Sequence, residues 1–225
     1  MADGYSYGMW VVVVLNVGIF LFFTLSFIKP KGHAEWRNMG IVLAFLVALF
    51  SEMYGFPLTI YLLTGWLGEA YPVLQPFSHK FGHLWVVVFG GSTMAWVVVM
   101  GFSLILLLSG YGLLSKGWRQ IHGAQGKMVT EGVYAFVRHP QYTGLFLVII
   151  AFLVQWPTLL TVLMAPILLF AYTRLAQSEE KVMYNRFGEE YKEYAQCLPR
   201  FFPAIGQWFR FITASSASPE INPMK

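Results

Sequence analysis

The sequence predicts an all-α membrane protein: a polytopic helical bundle of about five transmembrane segments, with a helical hairpin and a cytoplasmic amphipathic C-terminal helix. Three observations carry this reading. The 225-residue chain is 57% hydrophobic and only 12% charged, against roughly 25% charged in an ordinary soluble domain. Its apolar runs are near the length of about 20 residues that crosses a bilayer. Its basic residues flank those runs and form no continuous face, which argues against a nucleic-acid partner. The net charge is +4 and the single cysteine, Cys197, excludes an intrachain disulfide.

The first span covers about Met9 to Ile28 and is interrupted only by Asn16, Thr24 and Ser26. No basic stretch precedes it and no small-residue cleavage site follows, so it reads as a retained span and not a signal peptide. A polar loop, Lys29 to Asn38, leads to a second span over about Met39 to Leu63, with Glu52 inside it and a break at Gly55 and Pro57. The connection from Thr64 to His83 is rich in aromatic residues, Gly and Pro and reads as interfacial. A third span covers about Leu84 to Leu114, where Gly90, Gly91 and Gly101 allow close packing or bending.

Residues 142–173 as one helix would run about 48 Å, too long for a simple crossing. Gln155-Trp156-Pro157 offers a turn, with Pro157 placed to start a second helix. A tight hairpin is therefore expected. Met183, Phe187, Tyr191, Tyr194 and Leu198 then recur at helical spacing, giving an amphipathic helix broken or capped near Gly188. Residues 1–211 read as a single integral-membrane domain, with 126–203 as its motif region. Residues 212–225 are small, polar and Pro-containing, and are expected to be disordered.

Charge placement orients these segments. With about five spans and the N-terminus outside, every Lys and Arg of the 15 except Lys80 falls on the cytoplasmic side. A single crossing over 142–173 would instead place the basic C-terminal region outside. The expected localisation is an integral, inner-membrane protein whose motif region faces the cytoplasm.

Polar groups concentrate between Gly132 and Gly144 and between Arg174 and Arg200. A hairpin returns its ends to one side, so both clusters are expected to face one cavity. Taken alone, each reads as well or better as a membrane anchor: Arg138 reaching to phosphate, Tyr142 in the aromatic belt, Arg174 and the paired acids salt-bridged on a helix surface.

Together and in order, the two clusters are more specific. The pattern runs Gly132-x-Tyr134-x-x-x-Arg138-His139-Pro140-x-Tyr142-x-Gly144, then an apolar hairpin. Arg174-x4-Glu179-Glu180-x6-Phe187-Gly188-x-x-Tyr191-x-x-Tyr194-x4-Pro199-Arg200 completes it. It resembles the isoprenylcysteine carboxyl methyltransferase family, which is related to membrane phospholipid N-methyltransferases. The resemblance covers about residues 126–203. It implies S-adenosylmethionine as cofactor, with Arg138, His139, Tyr142, Gly144, Glu179, Glu180 and Tyr191 as cofactor-binding residues. It also implies that Arg174 handles an acceptor carboxylate. For an amine or thiol acceptor, Glu179 or Glu180 would be the base. Carboxylates suit ribose hydroxyls or an ammonium, and aromatic faces suit adenine and a sulfonium. No Gly-x-Gly-x-x-Gly loop offers the soluble dinucleotide-binding route.

The expected partners are membrane lipids and a hydrophobic or lipid-like methyl acceptor, a carboxylate, amine or thiol, with no obligate protein partner. Glu52, an acid within a span, costs roughly 2.5–3.5 kcal/mol to insert and so calls for a buried partner or a role. It joins Arg174 and Glu179 as a catalytic candidate, against an interhelical hydrogen bond. His33, His79, His83 and His122 show no metal-ligand spacing, and no metal is expected. Two other readings remain open: an NADPH-dependent membrane reductase related to sterol reductases, and a non-enzymatic protein retaining the fold.

Overall fold

A computed structural model describes residues 5–27, 33–67, 75, 77–124 and 126–214; among these the chain is helical and contains no strand. Its α-helices are α1 (Trp10–Phe27), α2 (His33–Phe50), α3 (Leu58–Leu67), α4 (Leu84–Val88), α5 (Thr93–Gly123), α6 (Pro140–Gln155), α7 (Leu159–Phe187), α8 (Glu189–Cys197) and α9 (Trp208–Thr213). Three helical stretches, Trp36–Gly55, Thr93–Gly123 and Leu159–Phe187, are long and apolar enough to cross a bilayer. Helices α1, α3 and α6 supply shorter apolar segments. Phe22, Leu104, Ile105 and Leu163 point outward and are largely exposed. Apolar residues facing outward on this scale need lipid around them.

Two compact units make up the chain. The first comprises Met1–Leu106 and Ile149–Leu169, the second Leu107–Val148 and Phe170–Lys225. Helices α5, α6 and α7 each contribute to both.

In the first unit, the break expected at Gly55 and Pro57 is present in an unusual form. Helix α2 ends in a π-helical turn, Ser51–Gly55, closed by Phe56 N–H donating to the Ser51 carbonyl at 2.8 Å. Gly55 is required there, because a Cβ would stand 2.7 Å from the Trp10 ring. The third span differs from expectation. Gly90 and Gly91 take positive φ, +85° and +66°, a region glycine enters at little cost. They separate the short α4 from α5, which Ser92 caps through its hydroxyl and which continues past Leu114 to Gly123. The hairpin turn falls at Trp156-Pro157-Thr158, one residue later than expected: Gln155 still belongs to α6, and α7 starts at Leu159, past Pro157. Thr158 and Thr161 cap the start of α7 reciprocally, each hydroxyl accepting the other's N–H.

The second unit holds the base of the hairpin. Helix α7 does not stop near Thr173; it carries Pro166 and runs unbroken to Phe187. The break at Gly188 is confirmed, with φ +58° between α7 and α8. Gly110 of α5 and Gly144 of α6 meet so closely that a Cβ on either would lie 2.6 Å from the other's carbonyl oxygen. Phe211 of α9 is fully buried against Phe136. Of the tail expected to be disordered from position 212, Ile212 and Thr213 belong to α9, and positions 215–225 lie outside the described residues.

Candidate active site at the base of the hairpin

Helix α6 starts where Pro140 occupies the first helical position, a place that needs no N–H. The residues before it are strapped to a distant segment. Arg138 N–H donates to the Pro199 carbonyl and His139 N–H to that of Arg200, both at 3.0 Å. The Thr143 hydroxyl donates to the Phe201 carbonyl at 2.5 Å. Orphan polar groups around a helix start are thereby satisfied by residues about sixty positions along.

Glu180 of α7 sits at the centre, its side chain 13% exposed. Its Oε1 accepts His139 Nε2 at 3.1 Å and Arg200 Nε at 3.0 Å, and lies 3.2 Å from Arg138 Nη1. Its Oε2 accepts Arg200 Nη2 at 2.8 Å. Two guanidinium groups and an imidazole thus surround one carboxylate. Such a buried cluster holds only while every charge keeps its partner.

Glu179 faces α6 instead. It accepts the Tyr142 hydroxyl at 2.5 Å, and its Oε2 lies 3.6 Å from His139 Nδ1. Its side chain stays 43% exposed, against 13% for Glu180. His139 bridges the two carboxylates. Burial works against its positive charge, but hydrogen bonds and charges from Glu179 and Glu180 outweigh burial and raise its pKa above the ordinary value. The bidentate contact with Glu180 likewise raises the Arg200 pKa.

Aromatic rings support this chain of contacts. His139 stacks on Tyr142 at 5.6 Å, and Tyr142 packs on the buried Tyr172 at 5.5 Å. The Tyr172 hydroxyl and Arg138 Nε are buried and make no hydrogen bond among the described residues. Beside the cluster opens a cavity of about 640 Å³ lined by Arg138, Glu180, Lys181, Tyr184, Tyr191 and Arg200. That volume lies within the ~300–1,000 Å³ usual for small-molecule sites.

The residues singled out from sequence are distributed as follows. Arg138, His139, Tyr142, Glu179 and Glu180 form one connected cluster, and Tyr191 lines the cavity next to it. Gly144 is engaged in the close contact with Gly110. Arg174 is exposed, its guanidinium 5.9 Å from the Phe170 ring and outside the ion-pair cluster. It lies on the face of α7 that, two and three turns later at roughly 3.6 residues per turn, carries the cavity residues Lys181 and Asn185. Glu52 belongs to the first unit. Sequence reading left out Arg200 and Phe201 as site residues, although Pro199-Arg200 closed the motif. Their partners lie far along the chain, so no helical spacing flags them.

These features define an integral-membrane, all-helical protein with a buried carboxylate–cation cluster at the base of a helical hairpin. Residues 116–185 match the Isoprenylcysteine carboxyl methyltransferase (ICMT) family. Two curated relatives are both named protein-S-isoprenylcysteine O-methyltransferase. The one from Schizosaccharomyces pombe is 29% identical over 79 residues, 35% of this chain and 34% of the relative. The one from Xenopus laevis is 30% identical over 130 residues, 50% of this chain and 42% of the relative. The chain thus aligns with less than half the length of either relative. No solved structure matches.

Proposed function

We propose that the chain is an S-adenosylmethionine-dependent methyltransferase acting on a hydrophobic or lipid-like acceptor at the cytoplasmic face of the membrane. The observation that carries this reading is Glu180 joined to Arg138, His139 and Arg200, a cluster assembled from three separated pieces of the motif beside an open cavity.

The residues present suit the cofactor. Arg138, Lys181 and Arg200 give the cavity a positive balance fitted to a carboxylate, and the unpartnered Arg138 Nε offers a donor. Tyr184 and Tyr191 supply aromatic faces for a purine or a cation. Glu179, held by Tyr142, lies outside that lining and offers a separate, partly exposed acceptor for hydroxyl or ammonium groups. When bound, the cofactor supplies a methyl group on a sulfonium sulfur.

The chain's own contribution is positioning. Glu180 fixes Arg138 and Arg200, the strap at 199–201 holds the start of α6, and His139 orients Glu179. Arg174 orients an acceptor carboxylate, which is already ionised near neutral pH. For an amine or thiol acceptor, Glu179 takes up the proton. The hydrophobic acceptor enters laterally from the bilayer. In this reading the N-terminus lies outside, about five segments cross, and the motif region faces the cytoplasm.

The test incubates the purified chain with methyl-labelled S-adenosylmethionine and a membrane lipid extract, alongside titrations with S-adenosylhomocysteine and NADPH. Label in a lipid fraction with saturable S-adenosylhomocysteine binding is expected. Binding of NADPH alone would overturn the proposal in favour of a reductase.

A further inference from the structure

Residues 202–214 of the second unit take no part in the ion-pair cluster. After the strap at 199–201 the chain makes a single 3₁₀ turn, Ile205–Gln207, and the short helix α9. Its large apolar residues divide between two faces. Pro203 and Phe211 are buried, and Trp208 packs on Phe211 at 5.9 Å and on Phe202 at 6.3 Å. Phe202, Ile205 and Phe209, spaced three and four residues apart, are instead 51%, 93% and 80% exposed. An exposed apolar patch of this kind marks a contact surface.

Two ties fix the level of the segment against the membrane. Helix α5 carries no charged residue from Thr93 to Ser115, a stretch of about 34 Å against a hydrocarbon core of about 30 Å. Lys116 is the first charge beyond it and therefore stands at the bilayer edge. Its ammonium donates to the Ile212 carbonyl at 2.6 Å, which holds the end of α9 at that edge. The other tie is to α6, whose apolar run starts directly after Arg138 and His139. There the Thr143 hydroxyl donates to the Phe201 carbonyl, and the Phe146 ring lies 6.4 Å from that of Phe202.

The charges around the patch are of one sign. Lys116 and Arg119 lie one turn apart on α5, and Arg210 stands two residues before the Ile212 carbonyl that Lys116 holds. Arg119 and Arg210 are exposed, and among the described residues none of the three cations forms an ion pair. Unpaired cations beside exposed apolar side chains at a bilayer edge match one partner, an acidic phospholipid, which presents phosphate and acyl chain at that depth. We propose that residues 202–213 are an interfacial seat for acidic phospholipid: Phe202, Ile205 and Phe209 enter the acyl boundary, and Lys116, Arg119 and Arg210 face the phosphates. The seat depends on the chain's crossing a membrane and not on the methyltransferase reading.

Site-directed quenching in phosphatidylcholine nanodiscs tests it on the full chain. A bimane label goes on Ile205→Cys in a Cys197→Ser background, with Glu189→Cys, exposed at the start of α8, as reference. The quenchers are phosphatidylglycerol and phosphatidylcholine, each with a nitroxide near the head-group end of one acyl chain, at equal mole fraction. Quenching at position 205 should exceed that at 189, and the phosphatidylglycerol probe should quench at least about twofold more than the phosphatidylcholine probe. Arg119→Gln with Arg210→Gln should bring that ratio to about one, while Arg119→Lys with Arg210→Lys should keep it. Melting curves check that each variant folds; should the double glutamine chain fail, Arg210→Gln alone should lower the ratio part of the way. Quenching at 205 no stronger than at 189 would mean that water, a protein partner or a second copy covers the patch, and would overturn the proposal. Equal quenching by the two lipids, or a ratio unchanged in the folded glutamine variant, would overturn it as well.

Discussion

Arg200 clasps Glu180 with two guanidinium nitrogens, Nε at 3.0 Å from Oε1 and Nη2 at 2.8 Å from Oε2. This contact joins the segment after α8 to the C-terminal third of α7. Through the Arg200 carbonyl, which accepts the His139 N–H, it reaches the start of α6 as well. One residue therefore ties together three pieces of chain that the motif lists in sequence but does not place in space.

Glu180→Gln removes the charge that Arg138, His139 and Arg200 share. Leaving these cations unpaired should cost about 3 kcal/mol of stability, seen as a lower melting temperature in detergent. Glu179→Gln should cost no more than about 1 kcal/mol, because it loses a partly exposed hydrogen bond. Equal melting temperatures for the two variants would remove Glu180 from the centre of the cluster.

The raised pKa of His139 makes stability depend on pH. A folded-state pKa above the unfolded value of about 6.5 means that the folded chain holds the proton more tightly. The stabilisation is then fully present below about pH 6.5 and disappears as pH rises through the folded pKa. Thermal scans at stepped pH should show this decline, and His139→Gln should flatten it.

Gly144→Ala drives a methyl group to within 2.6 Å of the Gly110 carbonyl oxygen, so α5 and α6 must part. A loss of about 1–3 kcal/mol is expected. Gly101→Ala, in α5 where a Cβ meets nothing within 4 Å, should leave the melting temperature unchanged or higher. Paired melting curves decide between close packing and a mere absence of side chain at position 144.

Arg174 and Glu179 should separate kinetically under the proposed function. Arg174→Ala should lower kcat at least tenfold while S-adenosylhomocysteine binding is kept, since Arg174 stands outside the ion-pair cluster. Tyr142→Phe should weaken that binding by releasing Glu179. Titrations and initial rates on the same preparations check both.

Cys197 is free and exposed at the end of α8, and it is the chain's single cysteine. It therefore reports topology without engineering. A membrane-impermeant maleimide should label it in inside-out vesicles and not in right-side-out ones. The reverse result would refute the proposed cytoplasmic motif region.

Composition and spacing determined the helical membrane class, the hairpin turn at Trp156-Pro157 and the break at Gly188. These follow from local rules: apolar length, missing N–H groups and glycine's access to positive φ. Residues 138–144 and 179–180 were legible as one cluster for a related reason, since the hairpin brings its two ends together. Spacing did not reveal that α7 runs on to Phe187, because an apolar helix can continue into a polar one without a break in its backbone hydrogen bonds. Only the tertiary structure decided that Glu180 is taken up by Arg138, His139 and Arg200 while Glu179 stays open, and that Gly144 serves helix contact. Adjacent residues on a helix point about 100° apart; which of two neighbouring acids meets the cations depends on what packs against each face, and that is set by residues distant in the chain.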